Sequence, residues 1–469
     1  MSSRDQCVAK ATRFFTFTAS SRRSRAVLAA VVAGSAALVS SANAQLINED
    51  LKFVSNDGVA DDRFGGAVAI DNGVVAVGAY GDDDNGQRSG SAYLFDAVTG
   101  SQTAKLVAND GISFDYFGQA IAIGSGVVAV GAINGDGIAG NSGAVYLFDA
   151  TTGAPLFKLF ANDGATNELF GMSVAIGSGV IAVGAPWDNA TAQAGGSVYL
   201  FDLGSFAQTH KLLANDGAAF HQFGWSVDVN SGVVAVGAWG DTVNGTSSGA
   251  AYLFNAVTGL PIHKLVPNDG SQADEFGRSI AIEGNTVAVG AWQGDGLSFN
   301  TGSVYLFNAT TGAQTDELFA DDGTQGNAFG DTIGLSNGIL AVGAHRKSDN
   351  GNWSGAGYLF DAINGCQLTK LLPSDGAADD NFGFSIDIDG GTIASGTQLD
   401  DDNGLDSGSA YVFTYCRADL NGDKVVDNGD IGAFITLFLS QNPLVDFNCD
   451  GVVDNGDIGL FITLFLAGC

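Results

Sequence analysis

The stretch from Phe117 to Asp149 is FGQAIAIGSGVVAVGAINGDGIAGNSGAVYLFD, and it contains the pieces from which most of this chain is built. It begins with Phe-Gly, has Gly-Ala at Gly131-Ala132, and closes with Tyr-Leu-Phe before Asp149. The Phe-Gly pair recurs every 53 residues, at Phe64-Gly65, Phe117-Gly118, Phe170-Gly171, Phe223-Gly224, Phe276-Gly277, Phe329-Gly330 and Phe382-Gly383. Seven copies at this period are typical of a stacked or radial repeat architecture.

Each repeat predicts four short strands. In the quoted copy, Gln119 to Ile123 and Val127 to Ala132 flank a Gly-Ser-Gly turn, and Ala144 to Asp149 and Leu156 to Phe160 flank a second turn. Four antiparallel strands form one blade of a β-propeller, and seven blades lie in the usual range for closed rings. We therefore expect an all-β, seven-bladed β-propeller over residues 46–415, without helices inside it.

The two ends of the propeller are offset by one strand. Leu51 to Ser55 is similar to the fourth-strand segments of later repeats, whereas the last repeat stops at its third strand, Ala410 to Thr414. This offset predicts that Leu51 to Ser55 completes the last blade, which closes the ring and removes exposed sheet edges. A solenoid would have no use for such an offset.

The first 44 residues differ from the rest. Arg22, Arg23 and Arg25 precede an apolar run, and Ala42-Asn43-Ala44 offers a small-residue cleavage site. This pattern predicts a signal peptide over residues 1–44, with the twin-arginine route as an alternative to general secretion. No later apolar run is long enough to span a bilayer. We expect a secreted or cell-surface protein with no transmembrane segment.

The formal net charge of the chain is -32. We expect no nucleic-acid partner, because a phosphate-binding surface needs clustered lysine and arginine. Removal of the signal peptide leaves Cys366, Cys416, Cys449 and Cys469. In an oxidising compartment they allow three pairings, of which we favour one containing Cys416–Cys469; four unpaired thiols are the alternative.

Phe170-Gly171 followed by Gly184-Ala185-Pro186 resembles the FG-GAP repeat of the integrin alpha-subunit propeller and its bacterial relatives. The resemblance covers roughly residues 51–415 and implies a propeller used for extracellular recognition or adhesion. Many relatives carry a calcium loop between the first and second strands of a blade. Here the turns, such as Asp71-Asn72-Gly73, hold at most one carboxylate, so we expect no calcium site in the blades.

Acidic residues gather in loops of the first and last blades that open on one face. They are Asp61-Asp62, Asp82-Asp83-Asp84, Asp379-Asp380 and Asp400-Asp401-Asp402. One hypothesis is a patch that binds a cation or a basic partner, and the other is solvated loop carboxylates. Asp-Gly pairs, Asp57-Gly58 through Asp375-Gly376, occur in every repeat, which favours a role in turns.

Residues 416–469 contain a shorter duplication with the spacing of EF-hand calcium loops. Such loops supply side-chain oxygens from positions 1, 3, 5, 9 and 12 and a backbone carbonyl from position 7. The first loop would use Asp419, Asn421, Asp423, Val425, Asp427 and Asp430, and the second Asp446, Asn448, Asp450, Val452, Asp454 and Asp457. These loops predict Ca²⁺ as the cofactor, with binding coupled to folding. Position 6 is Lys424 in the first loop and Gly451 in the second, which predicts that the first site is weaker.

One apolar helix is predicted after each loop, Ile431 to Leu439 and Ile458 to Leu466. This double EF-hand-like arrangement resembles the dockerin module, which in that family docks onto a cohesin and usually accompanies polysaccharide-degrading enzymes. Positions 10 and 11 of dockerin loops often hold small hydroxylated residues, whereas here they are Asn428-Gly429 and Asn455-Gly456. We therefore expect a dockerin-like surface anchor or cap, with a cohesin-like partner as the alternative.

No catalytic constellation is identifiable, since the four histidines are scattered over several repeats. We expect a non-enzymatic recognition or adhesion platform with an extracellular protein or glycan ligand. One alternative is a polysaccharide-active enzyme, a lyase or hydrolase with its site at the mouth of the ring. Another is a structural envelope protein that self-associates.

Overall fold

The computed structural model describes residues 47–468 of the chain. The signal peptide predicted for residues 1–44 lies outside this range. One compact unit ends at Tyr415, and a second begins at Cys416. Within the described range, no helix combines the length and the apolar character that a membrane crossing requires.

The first unit is a seven-bladed β-propeller of four-stranded antiparallel sheets. The first strands of blades one to seven are β2 (Phe64–Asp71), β6 (Phe117–Gly124), β10 (Ser173–Gly177), β14 (Ser226–Asn230), β18 (Ser279–Glu283), β22 (Thr332–Ser336) and β26 (Ser385–Asp389). The second strands are β3 (Val74–Ala79), β7 (Val127–Ala132), β11 (Val180–Ala185), β15 (Val233–Ala238), β19 (Thr286–Ala291), β23 (Ile339–Gly343) and β27 (Thr392–Thr397). The third strands are β4 (Ser91–Asp96), β8 (Ala144–Asp149), β12 (Ser197–Asp202), β16 (Ala250–Asn255), β20 (Ser303–Asn308), β24 (Gly357–Asp361) and β28 (Ser409–Thr414). The fourth strands are β5 (Gln102–Leu106), β9 (Pro155–Leu159), β13 (Gln208–Leu212), β17 (Pro261–Leu265), β21 (Gln314–Leu318), β25 (Gln367–Leu371) and, in the seventh blade, β1 (Leu51–Phe53).

The ring closes as the strand offset predicts. β1 pairs antiparallel with β28, with Leu51 opposite Val412 and Phe53 opposite Ala410. The first strands of neighbouring blades pack on one another around the ring, and β26 packs on β2. The first strands are therefore the innermost strands, and each of the seven blades has all four of its strands.

The two glycines of the repeat motif meet between blades. A Cβ atom on Gly78, from the first Gly-Ala pair, would overlap the carbonyl oxygen of Gly118, from the second Phe-Gly pair. Gly396 and Gly65 make the same contact between the last blade and the first. Gly65 also has a φ of 86°, which side chains disfavour. The Gly-Ala pair of one blade and the Phe-Gly pair of the next therefore form the two sides of one contact between blades.

The phenylalanine of each Phe-Gly pair fills the core beside this contact. Phe64 is fully buried and packs edge-on against Tyr93 and Phe95, with centroid distances of 5.5 and 5.8 Å. The same arrangement recurs in the other blades, for example at Phe276. Burial of such a side chain stabilises the fold by about 1.5–3 kcal/mol.

The C-terminal unit contains two helices, α1 (Asn428–Leu439) and α2 (Asn455–Ala467), with a 3₁₀ turn at Pro443–Val445 between them. Phe434 and Phe461 stack at 4.2 Å in its small core. Both helices begin three residues before the predicted positions, because Asp427 and Asp454 form capping boxes with the aspartates three residues later.

Cys366, Cys416 and Cys449 are each disulfide-bonded. The alternative of four unpaired thiols is therefore wrong. The favoured Cys416–Cys469 pairing stays a prediction, because Cys469 lies outside the described residues.

Candidate functional site

Two positions per blade lie at the inner edge of one propeller face, where first strands begin and second strands end. We call them the mouth positions. The position after Phe-Gly holds Gly66, Gln119, Met172, Trp225, Arg278, Asp331 and Phe384. The position that follows the second strand's Gly-Ala, or Gly-Thr in blade seven, holds Tyr80, Ile133, Pro186, Trp239, Trp292, His345 and Gln398. The loops between second and third strands, and between blades, open on the same face.

Further from the axis, a buried tyrosine organises the loop carboxylates. Tyr93 Oη lies 2.9 Å from Asp57 Oδ1 and 3.0 Å from Asp82 Oδ2. Lys105 Nζ lies 2.6, 3.1 and 2.5 Å from Asp57, Asp82 and Asp84. Burial alone would lower the pKa of Lys105, but its hydrogen bonds to the carboxylates outweigh burial and hold this pKa above 10.5. One ammonium thus neutralises a cluster of acids.

The tyrosine recurs in all seven blades, and the lysine recurs in six. The lysines are Lys105, Lys158, Lys211, Lys264, Lys370 and, in the seventh blade, Lys52 from β1. The fifth blade has Glu317 at this place, and Ser303 Oγ donates to it at 3.1 Å. Burial, followed by the charge of Asp269, raises the pKa of Glu317 to about 7. This blade therefore has a carboxyl group where the others have a lysine.

The acidic loops of blades one and seven form what we call the acidic sector. Lys52 Nζ lies 2.7, 3.1 and 2.5 Å from Asp375, Asp400 and Asp402, as Lys105 does in blade one. Asp62 is buried and accepts a hydrogen bond from Val59 N, and burial raises its pKa to about 6. Many of these carboxylates thus have internal partners, so the description as solvated loop carboxylates is incomplete.

The Asp-Gly pairs also do more than form turns. Asp57 and its equivalents in other blades, such as Asp110, accept hydrogen bonds from the buried tyrosine and the lysine of the same blade. Their recurrence therefore reflects a structural ion network, as well as turn formation.

Blades four to six carry a different constellation, which we call the aromatic sector. Three indoles and two guanidiniums alternate across it. Arg278 Cζ lies 4.7 Å from the Trp225 ring centroid and 5.5 Å from that of Trp292. Arg346 Cζ lies 4.7 Å from Trp292 and 5.8 Å from Trp353. None of the residues of this stack was expected from the sequence to be functional, although Trp225 and Arg278 are mouth positions one repeat apart.

Polar and aromatic contacts extend the stack on both sides. Trp239 packs edge-on against Trp225 at 5.7 Å, and its buried Nε1 has no hydrogen-bond partner among the described residues. Arg278 Nε donates to Asp331 Oδ1 at 2.9 Å. His345 Nδ1 lies 3.4 Å from Asp331 Oδ2. The mouth positions of three successive blades therefore form one continuous surface.

The histidines do not form a catalytic group with a nucleophile. Burial lowers the pKa of His345, so its ring is neutral near pH 7. His263 Nε2 lies 2.9 Å from the carbonyl of Thr310, and His221 Nδ1 lies 3.5 Å from Asp241. Over residues 47–468, no hydroxyl or thiol hydrogen-bonds to a histidine ring.

In the C-terminal unit, the predicted ligand residues fold both loops tightly. Asp419 accepts hydrogen bonds from the backbone N–H groups of Gly422 and Lys424, each at 2.7 Å. Asp430 is fully buried and accepts from Leu420 N and Asp427 N, both at 2.9 Å. The second loop repeats these contacts, with Asp446 accepting from Gly451 N and Asp457 from Asp454 N. Backbone donors thus hold the carboxylates of each loop together.

Two observations bear on whether these loops fit a calcium ion. Asp446 Oδ1 is buried and has no hydrogen-bond partner in the described chain. Burial raises the pKa of Asp446, and the charges of Asp457 and Asp450 raise it further. The donor set consists of hard oxygens, which Ca²⁺ prefers, although no group of three or more acidic, histidine or cysteine side chains in the described residues is arranged so that it could hold a metal ion. The residues fit the ion in chemistry, and a bound cation would relieve the repulsion between the carboxylates.

Position 6 differs between the loops as the sequence indicates. Lys424 has a φ of 67° and Gly451 a φ of 83°. Both loops therefore need a left-handed residue here, and in the first loop a lysine adopts this conformation at a cost of about 1 kcal/mol.

Comparison with known proteins agrees with the ring of blades. The model of the FG-GAP repeat matches residues 47–95, 101–148, 156–201, 206–254, 262–307, 313–360 and 366–413. No curated protein matches the chain significantly. The seven matches take up most of the chain, and each runs from the fourth strand of one blade through the first three strands of the next: the protein belongs to the FG-GAP repeat family.

Proposed function

We propose that this protein is an exported recognition or adhesion protein that is not an enzyme. The propeller face binds an extracellular protein or glycan, and the dockerin-like C-terminal unit binds calcium and anchors or docks the protein.

The observation that carries this proposal is the variation at the mouth positions. The seven residues after Phe-Gly are all different, while the flanking phenylalanine and glycine are identical in every blade. A residue needed by the scaffold recurs in each blade, as the glycine contacts and the buried tyrosines do. Residues that differ at equivalent places on one face are free to serve a ligand, and function commonly resides in such loops on a rigid scaffold.

The first experiment exposes the exported chain, residues 45–469, to an array of extracellular glycans and cell-surface proteins, with calcium or with a chelator. We expect saturable binding to at least one ligand, which a variant with alanine at Trp225 and Trp292 weakens. Failure to bind any arrayed ligand would contradict the recognition function. Shortening of a bound polysaccharide would identify the enzyme alternative instead.

We propose that the two loops hold one Ca²⁺ each. The ligands are those named from the sequence, five side chains and one backbone carbonyl per loop. The ion would neutralise crowded carboxylates and fix the loops from which α1 and α2 begin, so calcium should stabilise the C-terminal unit. A free concentration of one hundred times Kd should add about 2.7 kcal/mol to its unfolding free energy.

Calorimetric titration of the full exported chain tests this proposal. We expect two sites, and Asp446→Ala should remove one of them. Lys424→Gly should tighten the other site, because it removes the strain at position 6. Asp83→Ala in the propeller is the control for general loss of negative charge. Equal calcium binding by Asp446→Ala and the unaltered chain would refute the assignment.

A further inference from the structure

One arginine of the aromatic sector, Arg346, forms no ion pair within the described residues. Arg278 is paired with Asp331, but the guanidinium of Arg346 makes no hydrogen bond or ion pair within residues 47–468. It lies over the rings of Trp292 and Trp353. The lack of a partner is unusual in a chain with 51 acidic and 19 basic residues, because nearly every propeller lysine forms an ion pair with a carboxylate. A planar guanidinium fixed between two indoles presents its donors as a preorganised fork for an anion.

The two arginines of the stack differ in their surroundings. Arg278 donates to Asp331 and faces a second carboxylate, Glu275, which accepts a hydrogen bond from Trp292 Nε1 at 2.6 Å. Arg346 is paired with neither carboxylate in the described chain. An acidic ligand that the rest of the surface repels would therefore meet an unpaired cation at this end of the stack.

The outer indole of the stack occupies a costly backbone position. Trp353 is 49% exposed and has a φ of 51°. The equivalent residues of the other blades also have positive φ, and none of them is aromatic; they are Arg88, Asn141, Ala194, Ser247, Asn300 and Asp406. A bulky residue in this conformation is an outlier, and such outliers concentrate at functional sites. An exposed indole at this place has no core to fill.

We propose that the Trp225–Arg278–Trp292–Arg346–Trp353 stack binds an acidic polysaccharide, a chain of hexuronic acid units. The proposal rests on the recognition function proposed above and names its ligand class. The C–H face of a sugar ring packs on an exposed indole face, as other flat apolar surfaces do. Its carboxylate accepts two parallel hydrogen bonds from Arg346. A polymer that repeats a flat ring and a carboxylate matches a surface that repeats an indole and a guanidinium.

The test measures binding of the full exported chain to an oligogalacturonate, with a chelator present so that calcium cannot crosslink the ligand. The methyl-esterified oligomer is the matched ligand without charge. We expect the free acid to bind at least tenfold more tightly than the ester. Arg346→Gln and Trp353→Ala should each weaken binding of the free acid at least tenfold.

Arg88→Ala is the matched protein control. Arg88 lies in the first blade at the loop position that Trp353 holds in the sixth, and the carboxylate contact that it makes, to Asp83, comes from its backbone N–H. We expect unchanged affinity, because it belongs to no indole stack. Arg346→Lys keeps the charge but loses the planar fork, so it should weaken binding without lowering the melting temperature. This variant separates recognition from folding should Arg346→Gln unfold.

The outcomes separate this inference from the proposed function. Equal binding of acid and ester, or binding that Arg346→Lys and Trp353→Ala leave unchanged, would overturn the uronate site. Binding of an acidic peptide but not of the uronate would overturn the ligand class. In both cases other ligands on the array would still support recognition, whereas an empty array would overturn both proposals.

Discussion

The acidic and aromatic sectors lie on blades of the same design, but their charged side chains differ in whether they have partners. In the acidic sector Lys52 and Lys105 each contact three carboxylates, and these groups satisfy one another. In the aromatic sector Arg346 has indole faces as its described side-chain contacts and no carboxylate. Internal pairing indicates a structural role, and an arginine without a carboxylate partner beside the exposed ring of Trp353 is available to a ligand.

The comparison also explains why the most conspicuous feature of the sequence was a poor guide to the ligand. Runs of aspartate stand out in the printed sequence, yet many of them are bound by lysine, tyrosine or backbone N–H groups. The residues we assign to recognition are single and scattered. A high density of acidic residues in a sequence therefore does not show that their carboxylates are exposed or available to a ligand.

The largest expected effect tests whether the two sectors share one scaffold. Phe64→Ala in the acidic sector and Phe276→Ala in the aromatic sector each remove a fully buried ring with two edge-on aromatic neighbours. We expect both to lower the free energy of unfolding by about 3–5 kcal/mol, measured by urea denaturation. Val98→Ala, at a residue 84% exposed, should change little. Clearly unequal losses would show that the blades are not equivalent supports.

The next effect breaks the charge network of the acidic sector. Lys105→Met keeps the apolar stem but leaves Asp82, whose side chain is 5% exposed, without its cation. We expect a loss of about 2–3 kcal/mol in denaturation experiments, because a buried carboxylate without a partner is costly. Lys158→Met is the matched control, since Lys158 pairs only with the exposed Asp110 in the described chain. A loss at Lys158 as large as at Lys105 would contradict this reading of the network.

The third prediction concerns pH and the fifth blade. Glu317 has a pKa of about 7 in the folded protein, above its ordinary 4.5, so the folded state binds more protons than the unfolded state between these values. Stability should therefore fall as pH rises from 4.5 to 7, by about 1 kcal/mol after solvent screening. Glu317→Gln should flatten this slope in melting curves recorded across the window. Parallel curves for the variant and the unaltered protein would rule out Glu317 as the cause.

The smallest expected effect sharpens the contrast at the stack. Arg346→Gln should lower the free energy of unfolding by no more than about 1 kcal/mol, because cation–π contacts at exposed sites are weak. Calorimetric melting beside Lys105→Met measures the difference directly. A loss equal to that of Lys105→Met would make the stack a structural element and remove its distinction from the acidic sector.

The fold of the propeller could be predicted from local sequence patterns. Strands and turns recur within each repeat, and the extra segment at Leu51 predicts the closing strand that pairs with β28. The apolar pattern predicts that the helices of the C-terminal unit begin at Ile431 and Ile458, but they begin three residues earlier, because Asp427 and Asp454 also cap them. Their second role as helix caps depends on a bond back to the backbone of the same loop.

The sequence by itself determined the number of blades, the order of their strands and the offset that closes the ring, since each of these follows from a pattern repeated along the chain. Only the tertiary structure decided which charged side chains form ion pairs and which do not. Trp225 and Arg278 are one repeat apart, and they touch because neighbouring blades converge at the inner edge of the ring. Contacts between blades depend on that convergence, and a linear pattern does not contain it.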